Sequence, residues 1–192
     1  GQGNVVVDAG NSTFSNIVRF NTFGTRGVGA TLGFAPAASL AGIQFATPPT
    51  GLNGQVGGFA YLTNASTGAI DFIATPTANT NVAALSAATA LPTLTGSATM
   101  NYVNTANLTT TGAVAANTVR VIGGGQTITL AGALTLTNTT ATSIGGLLFD
   151  NSAGAATIRA QPRTATQVSA PRKRRIRGVA VLRMGNGLFL VT

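Results

Sequence analysis

The sequence contains no Cys, no His and no Trp, and its three acidic residues are the aspartates Asp8, Asp71 and Asp150. Without Cys, neither a disulfide framework nor a thiolate metal site can form. General acid and base catalysis normally uses His or a pair of carboxylates, and these aspartates lie far apart in the chain. Stacked strands are able to bring two of them together. The scarcity of titratable groups nevertheless favours a non-enzymatic protein with no catalytic, cofactor-binding or metal-binding residues.

Long apolar runs are also missing. No stretch of about 18 uncharged, strongly apolar residues occurs, so no transmembrane segment is predicted. The apolar end of the chain, residues 178–191, is interrupted by Arg183. The first residues are strand-like and lack Met and a charged leader, which favours the interpretation that the sequence is a fragment of a longer protein.

The net charge of +8 is confined to the end of the 192-residue chain. Residues 1–158 are neutral, because Arg19, Arg26 and Arg120 balance the three aspartates. The basic residues of 159–192 have no acidic neighbours in that segment: Arg159, Arg163, Arg172, Lys173, Arg174, Arg175, Arg177 and Arg183. We therefore divide the chain into a body, residues 1–158, and a basic tail, residues 159–192.

The tail carries one dense run of cations: Arg172, Lys173, Arg174, Arg175 and Arg177. Such a run is typical of an arm that binds nucleic acid or anionic lipid, with each cation adding salt-dependent affinity. A solvated, disordered tail explains the same composition. A shifted reading frame also explains it, because Arg becomes frequent abruptly after Ile158, and residues 159–192 would then not be native. These three interpretations stay open.

The composition of the body favours an all-β fold. Thr and β-branched residues fit a pleated, half-buried surface, and Gly and Asn supply turns. Short strand-like runs recur between Gly, Asn, Pro and Ser residues. The runs before residue 74 are Val5–Val7, Ile17–Phe20, Ala30–Phe34, Ile43–Phe45, Phe59–Leu62 and Ile70–Ile73. Residues 74–91 have little period-two pattern and are predicted to form a loop or a short helix.

Two segments near the end of the body resemble each other. Residues 118–136 and 140–158 align without gaps, and eight of their 19 positions are identical. A spacing of about 22 residues is what one coil of a β-solenoid requires. Within the first copy, Val119 alternates with Val121 and Ile128 with Leu130, while Thr occupies intervening positions. The pattern predicts a parallel β-helix or β-solenoid of short Thr-, Val- and Leu-rich strands, with aliphatic side chains on the core face.

A family resemblance covers about residues 28–158. It rests on Ile43-Gln44-Phe45, Pro48-Pro49, the run from Gly51 to Tyr61 and the Asp71-Phe72 pair. Downstream, Ala116 to Val121, Gln126 to Leu130 and Gly146-Leu147-Leu148 contribute. In these segments the chain resembles bacterial autotransporter-associated β-strand repeat proteins. The resemblance implies a right-handed parallel β-helix in a passenger region that is secreted or displayed at the cell surface or outer membrane, with no general catalytic residues.

We therefore expect a non-enzymatic β-solenoid with a structural or adhesive role. Its partners would be surface glycans, surface proteins or neighbouring copies of the chain. One alternative is binding of nucleic acid or an anionic membrane through the basic tail. A second is a carbohydrate-active β-helix protein, which requires Asp residues clustered on one face of the coils.

Overall fold

The computed structural model describes residues 2–7, 16–22, 30–36, 41–51, 54–86, 88–136, 145–162, 180–184 and 187–191. Across these ranges the protein is all-β, and most strand pairs are parallel. The described part of the chain contains no helix, and hence none of the length and apolar character needed to cross a membrane. The predicted all-β class is confirmed.

Six strands form the first half, which we call the N-terminal stack (the described residues from 2 to 86). They are β1 (Gln2–Val7), β2 (Asn16–Phe20), β3 (Thr31–Pro36), β4 (Ala41–Phe45), β5 (Ala60–Thr63) and β6 (Ile70–Phe72). Strands β1, β3 and β5 pair in parallel in one sheet, and β2 pairs in parallel with β4 in another. Strand β6 closes the first sheet antiparallel to β5. All six strand-like runs predicted before residue 74 overlap these strands.

The two sheets of the N-terminal stack enclose an aromatic and aliphatic core. Phe34 and Ile43 are buried, and Phe45 lies between them at the end of β4. The rings of Phe34 and Phe45 meet edge to face with centroids 6.1 Å apart. Each buried side chain of this size stabilises the fold by about 1.5 to 3 kcal/mol. The stack therefore has a hydrophobic core of its own.

Eight strands form the second half, which we call the C-terminal stack (the described residues from 88 to 162). They are β7 (Thr89–Ala90), β8 (Thr95–Asn104), β9 (Leu108–Thr109), β10 (Val114–Ile122), β11 (Thr127–Leu130), β12 (Leu134–Leu136), β13 (Gly146–Asp150) and β14 (Thr157–Ala160). All of their pairings are parallel. Strand β10 is central, because β8 pairs along one edge while β12 and β13 share the other. Strand β14 runs past residue 158, where the sequence analysis ends the body.

The parallel pairings of the C-terminal stack align three successive passes of the chain in three rows. Representative rows are Thr95, Val114 and Leu134; Asn101, Thr118 and Gly146; and Leu108, Ile128 and Ile158. Successive residues are 19 and 20 residues apart in the first row. They are 17 and 28 apart in the second row, and 20 and 30 apart in the third. The spacing along the chain varies while the register across the sheets is kept.

The predicted alternation in β10 is confirmed. Val119 and Val121 are 0% exposed inside the C-terminal stack, and Thr118 and Arg120 occupy the intervening positions. The 22-residue repeat, however, is wrong as a register, because Thr118 pairs with Gly146 and not with Thr140. Two matching Ala-Gly-Ala runs produced the alignment. The first precedes β12 and the second precedes β14, which belong to different sheets.

The segment 74–91 follows an irregular path that is held by single contacts. In its described residues there are turns but no helix. Ala84 forms an isolated antiparallel bridge with Ile73, and Asn81 forms one with Gln44. The amide of Val82 donates to the carbonyl of Ile43 over 2.8 Å. These contacts close the N-terminal stack along β4 and β6.

The basic tail contains two strands near its end. Strands β15 (Ala180–Met184) and β16 (Gly187–Val191) pair as an antiparallel hairpin. The charge of the tail favours disorder along its whole length, whereas this part is ordered by pairing. The sequences AVLRM and GLFLV contain a single charge among aliphatic and aromatic residues, which favours strands.

The two stacks meet through backbone as well as side chains. Gly58 of the N-terminal stack lies against Gly146 at the start of β13, and a Cβ atom on Gly146 would come within 2.5 Å of Gly58 Cα. Because backbone atoms cannot rotate away, any side chain here would push the stacks apart. Glycine at this position is therefore a packing requirement.

We expect the Gly146→Ala variant to lose about 1 to 3 kcal/mol of unfolding free energy, the range typical of overpacking in a closely packed interior. Urea denaturation followed by circular dichroism measures this loss. The matched control is Gly3→Ala, where a new Cβ would lie at an ordinary 3.6 Å from Leu32 Cδ1. Equal stability of the two variants would contradict the close approach of the stacks.

Candidate functional site

The cations predicted to bind polyanions lie outside the described residues. These are Arg172, Lys173, Arg174, Arg175 and Arg177. Polyanion binding by this segment stays a prediction. Among the described residues, charge is instead concentrated at the junction of the two stacks.

Arg120 forms the centre of that junction. It lies on β10, between Val119 and Val121, so the period-two geometry of the strand directs its side chain away from the core of the C-terminal stack. Its NH1 nitrogen is 2.6 Å from Asp71 Oδ2, and its NH2 nitrogen is 2.6 Å from Asp150 Oδ2. One guanidinium therefore links β6 of one stack to β10 and β13 of the other.

Asp150 is the more deeply buried of the two carboxylates, with a side chain only 2% exposed. Burial opposes its ionisation, but hydrogen bonds from Ser152 Oγ, from Arg120 and from the backbone amides of Ser152 and Ile70 outweigh burial. They hold the pKa of Asp150 below its ordinary value of 3.8. Asp150 is thus a fixed negative charge that anchors Arg120.

Asp71 has the opposite balance. Burial raises its pKa from 3.8 to about 6, although the positive charge of Arg120 and a hydrogen bond from the Phe72 amide favour the ionised form. That amide lies 2.7 Å from Asp71 Oδ1. Nearby Asp150 adds a smaller upward contribution to the pKa of Asp71. Asp71 is consequently a carboxyl group that changes charge just below neutral pH.

A neutral polar network lies beside this triad. The Thr118 hydroxyl donates to Gln55 Oε1 over 2.8 Å and lies 2.9 Å from Asn101 Oδ1. Asn117 Nδ2 also donates to Asn101 Oδ1 over 2.8 Å. All four side chains are buried. Since a buried polar group without a partner destabilises a fold by about 1 to 3 kcal/mol, this network fixes how the stacks align.

A pocket of about 460 Å³ opens beside Asp71 and Arg120. The turn between β5 and β6 forms one side of it. The turn is held by Asn64 Oδ1, which accepts hydrogen bonds from the amide and hydroxyl of Ser66 and from the Thr67 amide. The lining residues are Pro36, Leu62, Thr63, Asn64, Ala65, Ser66, Ala69, Ile70, Asp71, Ala84 and Arg120.

The chemistry available at the pocket is limited by which charges reach it. Asp71 and Arg120 line the pocket, and Asp150 does not. Glycoside hydrolysis normally needs two carboxyl groups that flank the scissile bond, so one accessible carboxyl fits binding better than hydrolysis. In the described residues there is also no group of three side chains suited to hold a metal ion.

The sequence analysis anticipates only part of this site. It allows stacked strands to bring two aspartates together, and the structure brings together Asp71 and Asp150. It misses Arg120, which lies 49 residues from Asp71 and 30 from Asp150 in the chain. One signal was present: Arg120 is an isolated charge within the strand-like run from Val119 to Ile122.

No protein family, curated protein or solved structure matches this chain.

We expect stability to rise between pH 7.5 and pH 5. The pKa of Asp71 is about 6 in the folded protein and 3.8 as its ordinary value. Its contribution is therefore fully present below pH 3.8 and is lost as the pH rises through 6. Over this interval linkage gives roughly 1.4 kcal/mol. The lowered pKa of Asp150 acts only below 3.8, outside the interval. Urea denaturation at the two pH values measures the difference.

The Asp71→Asn variant removes the titrating group and should abolish this rise. Thr135→Ala, at an exposed position of β12, is the control and should retain it. A rise of the same size in Asp71→Asn would show that another group is responsible.

Proposed function

We propose that the body of this protein is part of a β-solenoid from a secreted or surface-displayed bacterial protein, with a structural or adhesive and non-enzymatic role. The observation that carries the proposal is the alignment of parallel strands in three rows of the C-terminal stack. A chain that returns to the same three rows on each pass is building coils, and coils of this kind form extended surfaces. An autotransporter-type passenger region is the setting that the resemblance of residues 28–158 suggests.

The composition of the strand surfaces supports an adhesive role. In β11 and β12, Ile128 and Leu134 face the core, while Thr127 is half-buried and Thr135 is exposed. Repeated hydroxyl groups on a rigid surface offer many weak hydrogen bonds to a glycan, a protein or a neighbouring copy. Many such contacts give useful binding only when presented together, which a stacked architecture does.

The buried charges support a non-enzymatic role. Arg120 and Asp150 bind each other and connect strands, which is a sufficient structural reason for their presence. Asp71 is the one member of the triad whose protonation changes near neutral pH. A carbohydrate-active protein that binds without hydrolysing remains compatible with this arrangement.

If the N-terminal stack is part of a solenoid, it should accept another coil. Strand β1 lies at the edge of its sheet, and β1 to β3 is one pass of 29 residues. Adding a second copy of residues 2–30 ahead of Gln2 should increase hydrogen-exchange protection of the β1 amides by at least about tenfold, since exposed edge groups become paired. A scrambled copy of equal composition is the control. Equal protection in both chains would contradict a stack that can be extended.

An adhesion assay tests the role. Beads carrying the full chain should be retained on epithelial cells or mucin-coated glass at least about tenfold more than albumin beads, because multivalent display multiplies weak contacts. A variant with Arg172, Lys173, Arg174, Arg175 and Arg177 replaced by Gln separates the body from the tail. Retention that disappears in this variant would instead assign binding to the tail, and no retention of either chain would contradict adhesion.

A further inference from the structure

The pocket beside Asp71 has a mixed wall. Hydrogen-bonding groups come from Thr63, Asn64 and Ser66 in addition to Asp71 and Arg120. The remaining lining is aliphatic and contains no aromatic ring. Its volume of about 460 Å³ lies in the usual range for small-ligand sites.

The charges at the pocket oppose binding of a simple ion. Arg120 is already paired with Asp71 and with Asp150, so an anion would have to compete with two carboxylates. A cation would have to compete with Arg120 for Asp71. Displacing either member would leave a buried charge unpaired, which typically costs about 3 to 5 kcal/mol. A neutral ligand avoids this cost.

Neutral hydroxyl groups match the hydrogen-bonding capacity that remains. Each carboxylate oxygen can accept more than one hydrogen bond, and Asp71 Oδ1 and Oδ2 each have one partner here. Each terminal nitrogen of Arg120 carries two N–H groups, and each has one carboxylate partner. A hydroxyl group can accept from arginine and donate to aspartate at once.

The aliphatic lining matches the other surface of such a ligand. Leu62, Ala69 and Ile70 offer C–H groups beside the charged pair. A sugar ring has polar edges and a face of C–H bonds, so it can use both parts of the wall. A smaller polyol such as glycerol has the hydroxyl groups but no ring face.

We infer that the pocket between the β5–β6 turn and Arg120 binds a neutral saccharide unit, through hydroxyl contacts to Asp71 and Arg120 and ring packing on Leu62, Ala69 and Ile70. This inference rests on the proposed adhesive function and gives its ligand a chemical class. Binding, and not cleavage, is the expected outcome, because Asp71 is the only carboxyl group that lines the pocket.

Saccharide binding should be coupled to proton release. A hydroxyl group that donates to Asp71 stabilises its ionised form and lowers its pKa. The charged groups that face Asp71 are Arg120 on β10 and Asp150 on β13, and both keep their charge near pH 6. Binding at pH 6 should therefore release a fraction of a proton from Asp71, and the measured heat should depend on the buffer.

The test titrates the full-length, ¹⁵N-labelled protein with glucose, galactose, N-acetylglucosamine and lactose. At least one sugar should shift the amide signals of Ser66, Ala69 and Ile70. Ala69→Phe fills the pocket and should weaken that binding at least tenfold. Ala131→Phe adds the same ring at an exposed turn residue outside the pocket lining and should leave binding unchanged. Asp71→Asn should abolish the buffer-dependent heat.

Several outcomes would overturn the inference. These are no sugar-dependent shifts at the pocket amides, equal shifts with glycerol, stronger shifts with acetate or methylammonium, or unchanged binding by Ala69→Phe. Retained adhesion together with absent sugar binding would refute this inference and leave the proposed function standing. Sugar binding without adhesion would support this inference and refute the adhesive role.

Discussion

The junction of the two stacks depends on one guanidinium group. Arg120 keeps two buried carboxylates apart and neutralises most of their charge, with 2.6 Å contacts to each. Without a cation between them, Asp71 and Asp150 would be like charges in a region that water reaches poorly. A buried ion cluster adds little net stability over a well-packed apolar core, but it tolerates few alternative arrangements. The triad therefore specifies how the two stacks face each other more than it strengthens either stack.

Strand β10 serves both stacks because successive residues point to opposite sides. Val119 and Val121 fill the core of the C-terminal stack, while Thr118 and Arg120 contact Gln55 and Asp71 of the other stack. The hydrophobic core and the polar junction are thus built on the same nine-residue strand. A one-residue slip of β10 would exchange the two sets and place Arg120 in the core. This strong penalty fixes the register of the whole C-terminal stack.

The strands with clear patterns could be predicted from sequence, and those stabilised by distant polar contacts could not. Short apolar runs such as Ile43–Phe45 are recognisable because their own residues favour strands. Strand β8 has the sequence TGSATMNYVN, which is polar and weakly alternating. Its Asn101 is buried because Thr118 and Asn117 supply hydrogen bonds from another strand. The Arg120 triad joins residues from three strands, and nothing local to any of them encodes the others. The 22-residue repeat misled because short Ala-Gly-Ala turns recur in a Gly-rich chain.

The unequal spacing of the rows has a consequence for the entropy of the unfolded chain. Between the shortest and longest passes of the C-terminal stack, the separation of paired residues grows from 17 to 30 residues. Loop-closure entropy rises only with the logarithm of length, so the longer pass costs about 0.5 kcal/mol more to close. That difference is smaller than the effect of burying one additional methylene group, about 0.8 kcal/mol. Corners of the coils can therefore lengthen or shorten at little thermodynamic cost, while each residue that enters a row remains under the full constraint of the core.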